Sequence, residues 1–331
     1  MSAFKCQQCG EELEFEKGAS VCECPACFSK QTLPKTITDD VSRLYDRAEH
    51  FRAANDFDRA LDIYEKIIEI DPSDAEAHWS YAICKYGIEY VVDGSTGRRI
   101  PTVHRVSYVS ILNDPDYKLA VDNADEQQRA VYEEKAAVID GIQKNYLRIS
   151  ANEKPYDVFI CYKESASDGE RTKDSVLAQE IYDELAKQNI NTFFSRITLE
   201  DKLGQAYEPY IFAALNSAKV MLCVGTKQEY FNAPWVKNEW SRFLNLIKED
   251  STKNLIPVYR DMDPYDMPDE FSALQAQDMS KIGAIQDLVR GVKKLIGGNA
   301  PVKTEKEETI GNFLDRANNF LGDYNWAKAN E

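Results

Sequence analysis

From Tyr156 to Ile296 the chain alternates between two hydrophobic periods, and this constrains its fold more than any other feature. "YDVFICY", "INTFF", "KVMLCVG" and "NLIPVY" are apolar runs of strand length. Between them lie "DSVLAQEIYDELAKQ", "AYEPYIFAALNSA" and "PWVKNEWSRFLNLI", with apolar residues at helical spacing. Strands so uniformly apolar are covered on both faces, and strand–helix repetition sets them parallel. The expectation is an α/β unit with a parallel sheet, closed by a final helix or two between "MPDEF" and "GVKKLIGG".

One helix of this unit, in the stretch "NAPWVKNEW", carries an unusual flank. At roughly 100° per residue, Val236, Trp240, Phe243, Leu244 and Ile247 form one core stripe. Trp235, Glu239 and Arg242 fall together roughly 100° from its centre. Trp240 is therefore expected to pack inward, with Trp235 beside Glu239 at the mouth of the sheet. In open α/β folds ligands collect at the carboxyl ends of the strands, and the loop around Asn232 leaves such an end. The plainer reading of a flank glutamate is solvation, or pairing with a neighbour such as Arg242.

The amino-terminal part is governed by cysteine. Five of the eight cysteines fall within the first 27 residues, in "KCQQCGEELEFEKGASVCECPAC". Cys6 and Cys9 form one CxxC, Cys24 and Cys27 another. Two such turns complete a tetrahedral zinc site, and four thiolates leave no open position for catalysis. The zinc is expected to be structural, because about 35 residues cannot build an adequate core alone. Cys22 is a spare outside the paired geometry. "EELEF" and "ASVCE" alternate as two short strands would, and residues 1–36 resemble a zinc ribbon. Clustering of this kind points to metal in a reducing cytoplasm rather than to a secreted disulfide scaffold.

Residues 41–74 resemble a tetratricopeptide repeat, with Ala48, Phe51, Ala60, Tyr64 and Pro72 at the positions where two helices touch and the second stops. "DAEAHWSYAICKYG" opens a second repeat and then departs from the pattern. One repeat leaves a face uncovered, so this module is expected to dock on something, including a protein partner that the sequence does not name. "IEYVVDGSTGRRIPTVH" reads as a β-hairpin around Asp93–Gly97, and Glu126–Ile149 as a long helix. The tail echoes the repeat at Ala317, Phe320, Trp326 and Ala329. The expected division is a ribbon at 1–36, a helical repeat-like module with a hairpin at 37–150, the α/β unit at 154–298 after the Lys154–Pro155 linker, and a linker with a partial repeat at 299–331.

Formal net charge is −16, which disfavours nonspecific binding to nucleic acid or an anionic membrane. No run approaches the ~18 apolar residues of a membrane span, and no signal-peptide pattern opens the chain. His50, His78 and His104 lack metal spacing; the first two suit packing in helices. Cys161 and Cys223 sit inside strand runs as small core residues. No Walker loop, GxGxxG or GxSxG occurs.

The α/β segment resembles a bacterial Toll/interleukin-1 receptor (TIR) domain. The resemblance rests on "YDVFICY" as first strand, "FFSRITLEDKLGQ" after the second, "ALNSAKVMLCVG" entering the next, and "WVKNE" on the following helix; it covers about 140 of 331 residues. It implies a flavodoxin-like fold, self-association through TIR domains and, in many bacterial members, cleavage of the nicotinamide–ribose bond of NAD+. The WxxxE glutamate, catalytic in those members, is Glu239 here. For that cleavage, Trp235 is expected to bound the nicotinamide or ribose, Tyr162, just past the first strand, to stack, and Lys163 or Arg196 to meet a phosphate. The product is ADP-ribose or a cyclic isomer, in a setting such as antiphage defence or signalling. The sequence departs from the family where Ser195–Arg196–Ile197 replaces an acidic loop opening and Cys161–Tyr162–Lys163 replaces a serine-led strand end. The alternative is a non-catalytic adaptor in which the same domain is a protein-contact module.

Overall fold

The computed structural model describes residues 4–16, 18–35, 38–94, 96–202 and 206–297. The tail echo at Ala317, Phe320, Trp326 and Ala329 lies outside them.

The ribbon holds one antiparallel pair, β1 (Val21–Glu23) with β2 (Lys30–Thr32). "EELEF" does not form the partner strand; it contributes a single bridge between Lys5 and Glu12. Both pairings flank a CxxC turn. Each turn reverses the chain, so the residues on its two sides meet, and "ASVCE" pairs across its own turn instead of with the earlier run.

Next come three packed helices, α1 (Asp39–Ala53), α2 (Phe57–Ile70) and α3 (Ala75–Lys85). Thr38, Asp56 and Asp74 cap their first turns with side-chain oxygens. Ala48, Ala60 and Tyr64 are buried where α1 and α2 meet. The chain then enters the hairpin β3 (Ile88–Val92) and β4 (Arg99–Val103), paired in register from Ile88↔Val103 to Val92↔Arg99. Helix α4 (Pro115–Asn123) starts on Pro115 with Asp114 as cap. The long α5 (Glu126–Ser150) opens with a capping box of Asp125 and Gln128 and lies across the hairpin.

The ribbon is docked on these helices. Gln7 Nε2 donates to Glu76 Oε1 at 2.8 Å and to Ser80 Oγ at 3.1 Å, and Gln128 Nε2 donates to the Leu33 carbonyl at 2.8 Å. Burial pushes the Glu76 carboxyl up to about 7, although Thr32, Lys135 and Tyr132 favour its charge.

The α/β unit follows the expected alternation. Strand β5 (Val158–Tyr162), α6 (Lys173–Lys187), β6 (Thr192–Phe193), the short α7 (Ser195–Thr198), α8 (Glu208–Ser217), β7 (Val220–Gly225), the short α9 (Gln228–Phe231), α10 (Pro234–Glu249), β8 (Asn254–Tyr259), β9 (Gln277–Asp278) and α11 (Ala284–Ile296) follow in order. The sheet runs β6-β5-β7-β8-β9, all parallel. That is the flavodoxin-like order, with the chain switching direction between β5 and β7. Strand parity sends Val158, Ile160 and Tyr162 into one core with α6 and α11, and Phe159 and Cys161 into another with α8 and α10. The two-residue edge strand β9 has no apolar run, so the sequence reading passed over it.

An apolar bridge joins this unit to the core of the helical module. Phe212 of α8 belongs to the core of the hairpin, α4 and α5, and its ring meets Tyr108 at 5.2 Å. A fragment spanning 154–298 is expected to fold alone yet to be about 1–3 kcal/mol less stable than the same unit in the full chain, the order of one aromatic side chain exposed. Chemical denaturation of both checks this; a molten fragment would contradict the boundary.

Candidate functional site

Helix α10 is aimed from its first turn. Pro234 occupies its first position, where a missing N–H costs nothing. Ahead of it, Gly225 ends β7 so tightly that an added Cβ would lie 2.3 Å from the Phe231 ring. Phe231 packs there, and its carbonyl accepts the Trp240 indole N–H at 2.9 Å. Trp240 is 1% exposed, so this bond fixes the helix's rotation about its axis. The predicted stripe is the buried one: Val236, Trp240 and Phe243 lie in the core with Leu244 and Ile247 partly buried against it.

That rotation sets Glu239 over β5. Cys161, next to last in the strand, has its Sγ 3.6 Å from the Val236 carbonyl, and the same thiol hydrogen-bonds the Glu239 carboxylate. Burial pushes the Glu239 carboxyl up to about 7, against the Cys161 thiol and the Arg242 charge, which both pull it down. Arg242 does not form the expected ion pair. Its Nη1 and Nη2 donate to the backbone carbonyls of His104 and Val106 at 3.0 and 3.1 Å. Among the described residues no lysine, arginine or histidine nitrogen forms an ion pair with Glu239 within 4 Å. Burial lowers Arg242 itself to about 10, helped by the nearby charge of Arg105. Tyr207, just before α8, is raised to about 12 by burial with the charges of Glu208, Glu89 and Glu239, which places it in the same field.

Trp235 stands one turn before Glu239, 38% exposed, with its ring edge-on to His104 at 4.4 Å. The structure thus brings Trp235 and Glu239 to one flank, as the helical wheel expects. It does not bring the other sequence candidates there. Tyr162 points to the opposite face of the sheet, because it is one residue from Cys161; its ring packs on Phe194 at 5.1 Å and its hydroxyl meets Ser195 Oγ at 3.1 Å. Buried in the α6 core, it has a packing role. Arg196 is exposed on α7 and reaches Gln179 Oε1 on α6 at 3.4 Å. Lys163 is half-buried where β5 ends, its carbonyl accepting the Thr172 hydroxyl.

Sequence reasoning passed over three residues around this flank and a fourth that braces the sheet. His104 is buried between carboxylates, with Nε2 2.8 Å from Glu89 Oε2 and Nδ1 3.6 Å from Glu208 Oε1. Arg105 contacts Asn238 on α10, and Asn238 in turn donates to the Asn55 carbonyl at 3.2 Å. Asp174, fully buried, accepts from the Thr226 N–H and hydroxyl, both at 2.7 Å, and ties α6 to the residue after β7. None of these partners is closer than 52 positions apart except Glu89 and His104, so local pattern carries no signal for them. Beside the site, a cavity of about 590 Å³ opens between the hairpin, α5 and Tyr207–Glu208. Its lining includes Glu89 and Glu208 and no lysine or arginine among the described residues, so it offers nothing to a phosphate.

Residues 158–296 match the family model for the TIR domain. This segment is a TIR domain. A solved structure, the TIR domains of the activated Roq1 resistosome directly recognizing the pathogen effector XopQ, is similar over 51% of this chain and 99% of that chain, at 15% identity and a TM-score of 0.26. The fold rests on the strand order and not on that likeness. No curated protein matches the chain.

The metal candidates converge. The sulfurs of Cys6, Cys9, Cys24 and Cys27 all lie within 4.8 Å of one another, with Cys6–Cys27 at 3.6 Å and Cys9–Cys24 at 3.5 Å. Zinc–sulfur bonds of ~2.3 Å in a tetrahedron require edges of about 3.8 Å, so these thiols fit zinc. Cys22 is not in the cluster. Among the described residues no helix is long and apolar enough to cross a membrane.

The Glu239 carboxyl also makes stability depend on pH. The folded chain holds its proton up to about 7, whereas an ordinary glutamate releases it near 4.5. Between these values the folded state binds more protons, so stability falls as pH rises from 4.5 through 7 and stays reduced above. Glu239→Gln removes this penalty. It is expected to stabilise the protein by about 1–3 kcal/mol at pH 8, allowing for partial solvent access, and to leave it nearly unchanged at pH 4.5. Denaturant melts at the two pH values check it.

Proposed function

We propose that the TIR domain cleaves NAD+ at the nicotinamide–ribose bond, with Glu239 as the catalytic residue. The observation that supports this most is a carboxylate held over the sheet beside an exposed tryptophan, raised in pKa by burial and with no cation bonded to it among the described residues. The bond breaks with its electron pair passing to the ring nitrogen, so neutral nicotinamide leaves without a general acid. The oxocarbenium-like ribose that remains is stabilised by the Glu239 charge. Water then bonds to the anomeric carbon, and its proton passes to Glu239 or to solvent, giving ADP-ribose. An internal nucleophile in place of water gives a cyclic isomer. Trp235 bounds the nicotinamide or ribose. Lys163 and Arg196 are the phosphate contacts in this reading by their positive charge alone.

In this reading TIR–TIR self-association switches the enzyme on. The ribbon at 1–36, with a structural zinc on its four cysteines, and the repeat-like module at 37–150 serve as a sensor for a protein partner. The setting is cytoplasmic signalling or antiphage defence. The second reading, a non-catalytic adaptor, is favoured by one observation: Asn238 and Arg242 on α10 are already engaged in contacts with another part of the chain. Incubating the full chain with NAD+ and separating the products by chromatography discriminates the two. Nicotinamide in equal amount with ADP-ribose or its cyclic isomer supports the enzyme; intact NAD+ at every protein concentration supports the adaptor.

A further inference from the structure

The flank of α10 that carries Glu239 is covered by the helical module. Arg242 donates to the carbonyls of His104 and Val106, and the His104 ring sits against Trp235. Arg105 bridges Asn238 on α10 to Asp58 on α2, the latter at 2.8 Å. The α1–α2 turn closes the other side through the bond from Asn238 to Asn55.

The chemistry of this seam differs from that of its neighbour. At α8 the module and the TIR domain share an apolar core through Phe212. At α10 they share none: the core beneath α10 contains only residues of the TIR domain. What holds α10 to the module is a set of hydrogen bonds and one ring edge; the Arg105–Asp58 ion pair lies within the module and holds Arg105 in reach of Asn238. Such groups are rehydrated when they part, so the seam costs little to open, whereas the Phe212 contact exposes apolar surface. The polar seam is also imperfect, since Arg105 Nε is buried without a partner. Inter-domain contacts of this polar kind move by default.

We infer that the helical module is a releasable cover on the Glu239 face of α10, hinged at Phe212 and latched by Arg105, and that the closed arrangement described here is the resting state. This rests on the reading of Glu239 as the site of NAD+ cleavage. It gives the sensor a physical action: a partner that grips the hairpin or the α1–α2 turn lifts the latch. The latch lies 133 positions from its contact on α10, so the regulation is tertiary and separable from the chemistry.

The test uses the full chain with Arg105→Glu, with Asp58→Lys, and with both together. Each single change sets like charges against each other within the module, where Asp58 holds the residue at 105 in reach of Asn238; the pair restores opposite charges in swapped order. Hydrogen exchange of residues 102–106 and 234–243 reports opening, and nicotinamide release from NAD+ reports access. Each single variant is expected to raise both by about tenfold or more, within the range of ordinary coupling between sites, and the double variant to return both toward the parent. Asp58 is half-exposed, so its variant stays interpretable if Arg105→Glu folds poorly. Unchanged exchange in both single variants overturns the cover. Faster exchange without faster nicotinamide release, in a parent that does cleave NAD+, overturns its control of the site. If no form cleaves NAD+, the proposed reaction fails, and exchange alone decides the cover: a rise reversed by the swap supports it, and no rise overturns it.

Discussion

Glu239→Gln is expected to lower nicotinamide release by ~10²-fold or more, about 2.7 kcal/mol of barrier, while the protein folds and binds zinc as before. Glutamine keeps the shape and most of the hydrogen bonding, including a partner for the Cys161 thiol. It removes the negative charge. If the carboxylate acts by stabilising a cationic ribose, that charge is the catalytic part. Because the carboxyl titrates near 7, turnover of the parent is expected to rise with pH through neutrality as Glu239 ionises. Glu239→Asp is expected to fail as well, since one methylene less withdraws the charge from the ribose hydroxyls. Arg242→Ala separates this account from a plain surface pair. Arg242 binds the hairpin carbonyls and not Glu239, so its loss should loosen α10 against the module without imitating Glu239→Gln. Rates measured alongside melting curves decide the matter.

The second large effect concerns zinc. One zinc per chain is expected by metal analysis, and none in Cys24→Ser, which removes a fully buried ligand from the cluster. The binding free energy of a structural zinc of this type is on the order of 10 kcal/mol and is largely folding free energy, so the ribbon is expected to unfold. The loss does not stop at residue 35. Gln7 satisfies Glu76 and Ser80, and Leu33 accepts from Gln128. Without the ribbon, Glu76 on α3 keeps Tyr132 as a donor and loses Gln7, in a site where burial already opposes its charge. Exchange is therefore expected to rise in residues 4–35 and 76–80 and to stay unchanged across the TIR sheet. A zinc-free protein with the ribbon still protected would contradict the structural role.

The sheet and its helices were legible because their apolar residues repeat at fixed periods, and one face of α10 could be drawn from spacing alone. The flank position of Glu239 was legible for the same reason. Tyr162 was not: adjacency to the strand end suggests the site, but strand parity sends it to the far face while Cys161 reaches Glu239. The expected strand at "EELEF" is only a single bridge, because alternation marks strand character without naming the partner, and the CxxC turns choose it. His104, Arg105 and Asn238 were invisible as a group. Their contacts across the seam join residues more than a hundred positions apart through single polar atoms, and no periodicity records such a meeting.

The role of the Glu239 charge is tested by a concentration series of parent and Glu239→Gln protein with NAD+, following nicotinamide released per chain. The series allows for activity that depends on assembly. Release by the parent is expected to rise per chain as protein concentration rises, with a loss of ~10²-fold or more in the variant at every concentration. Release by Glu239→Gln at the parental rate would contradict it.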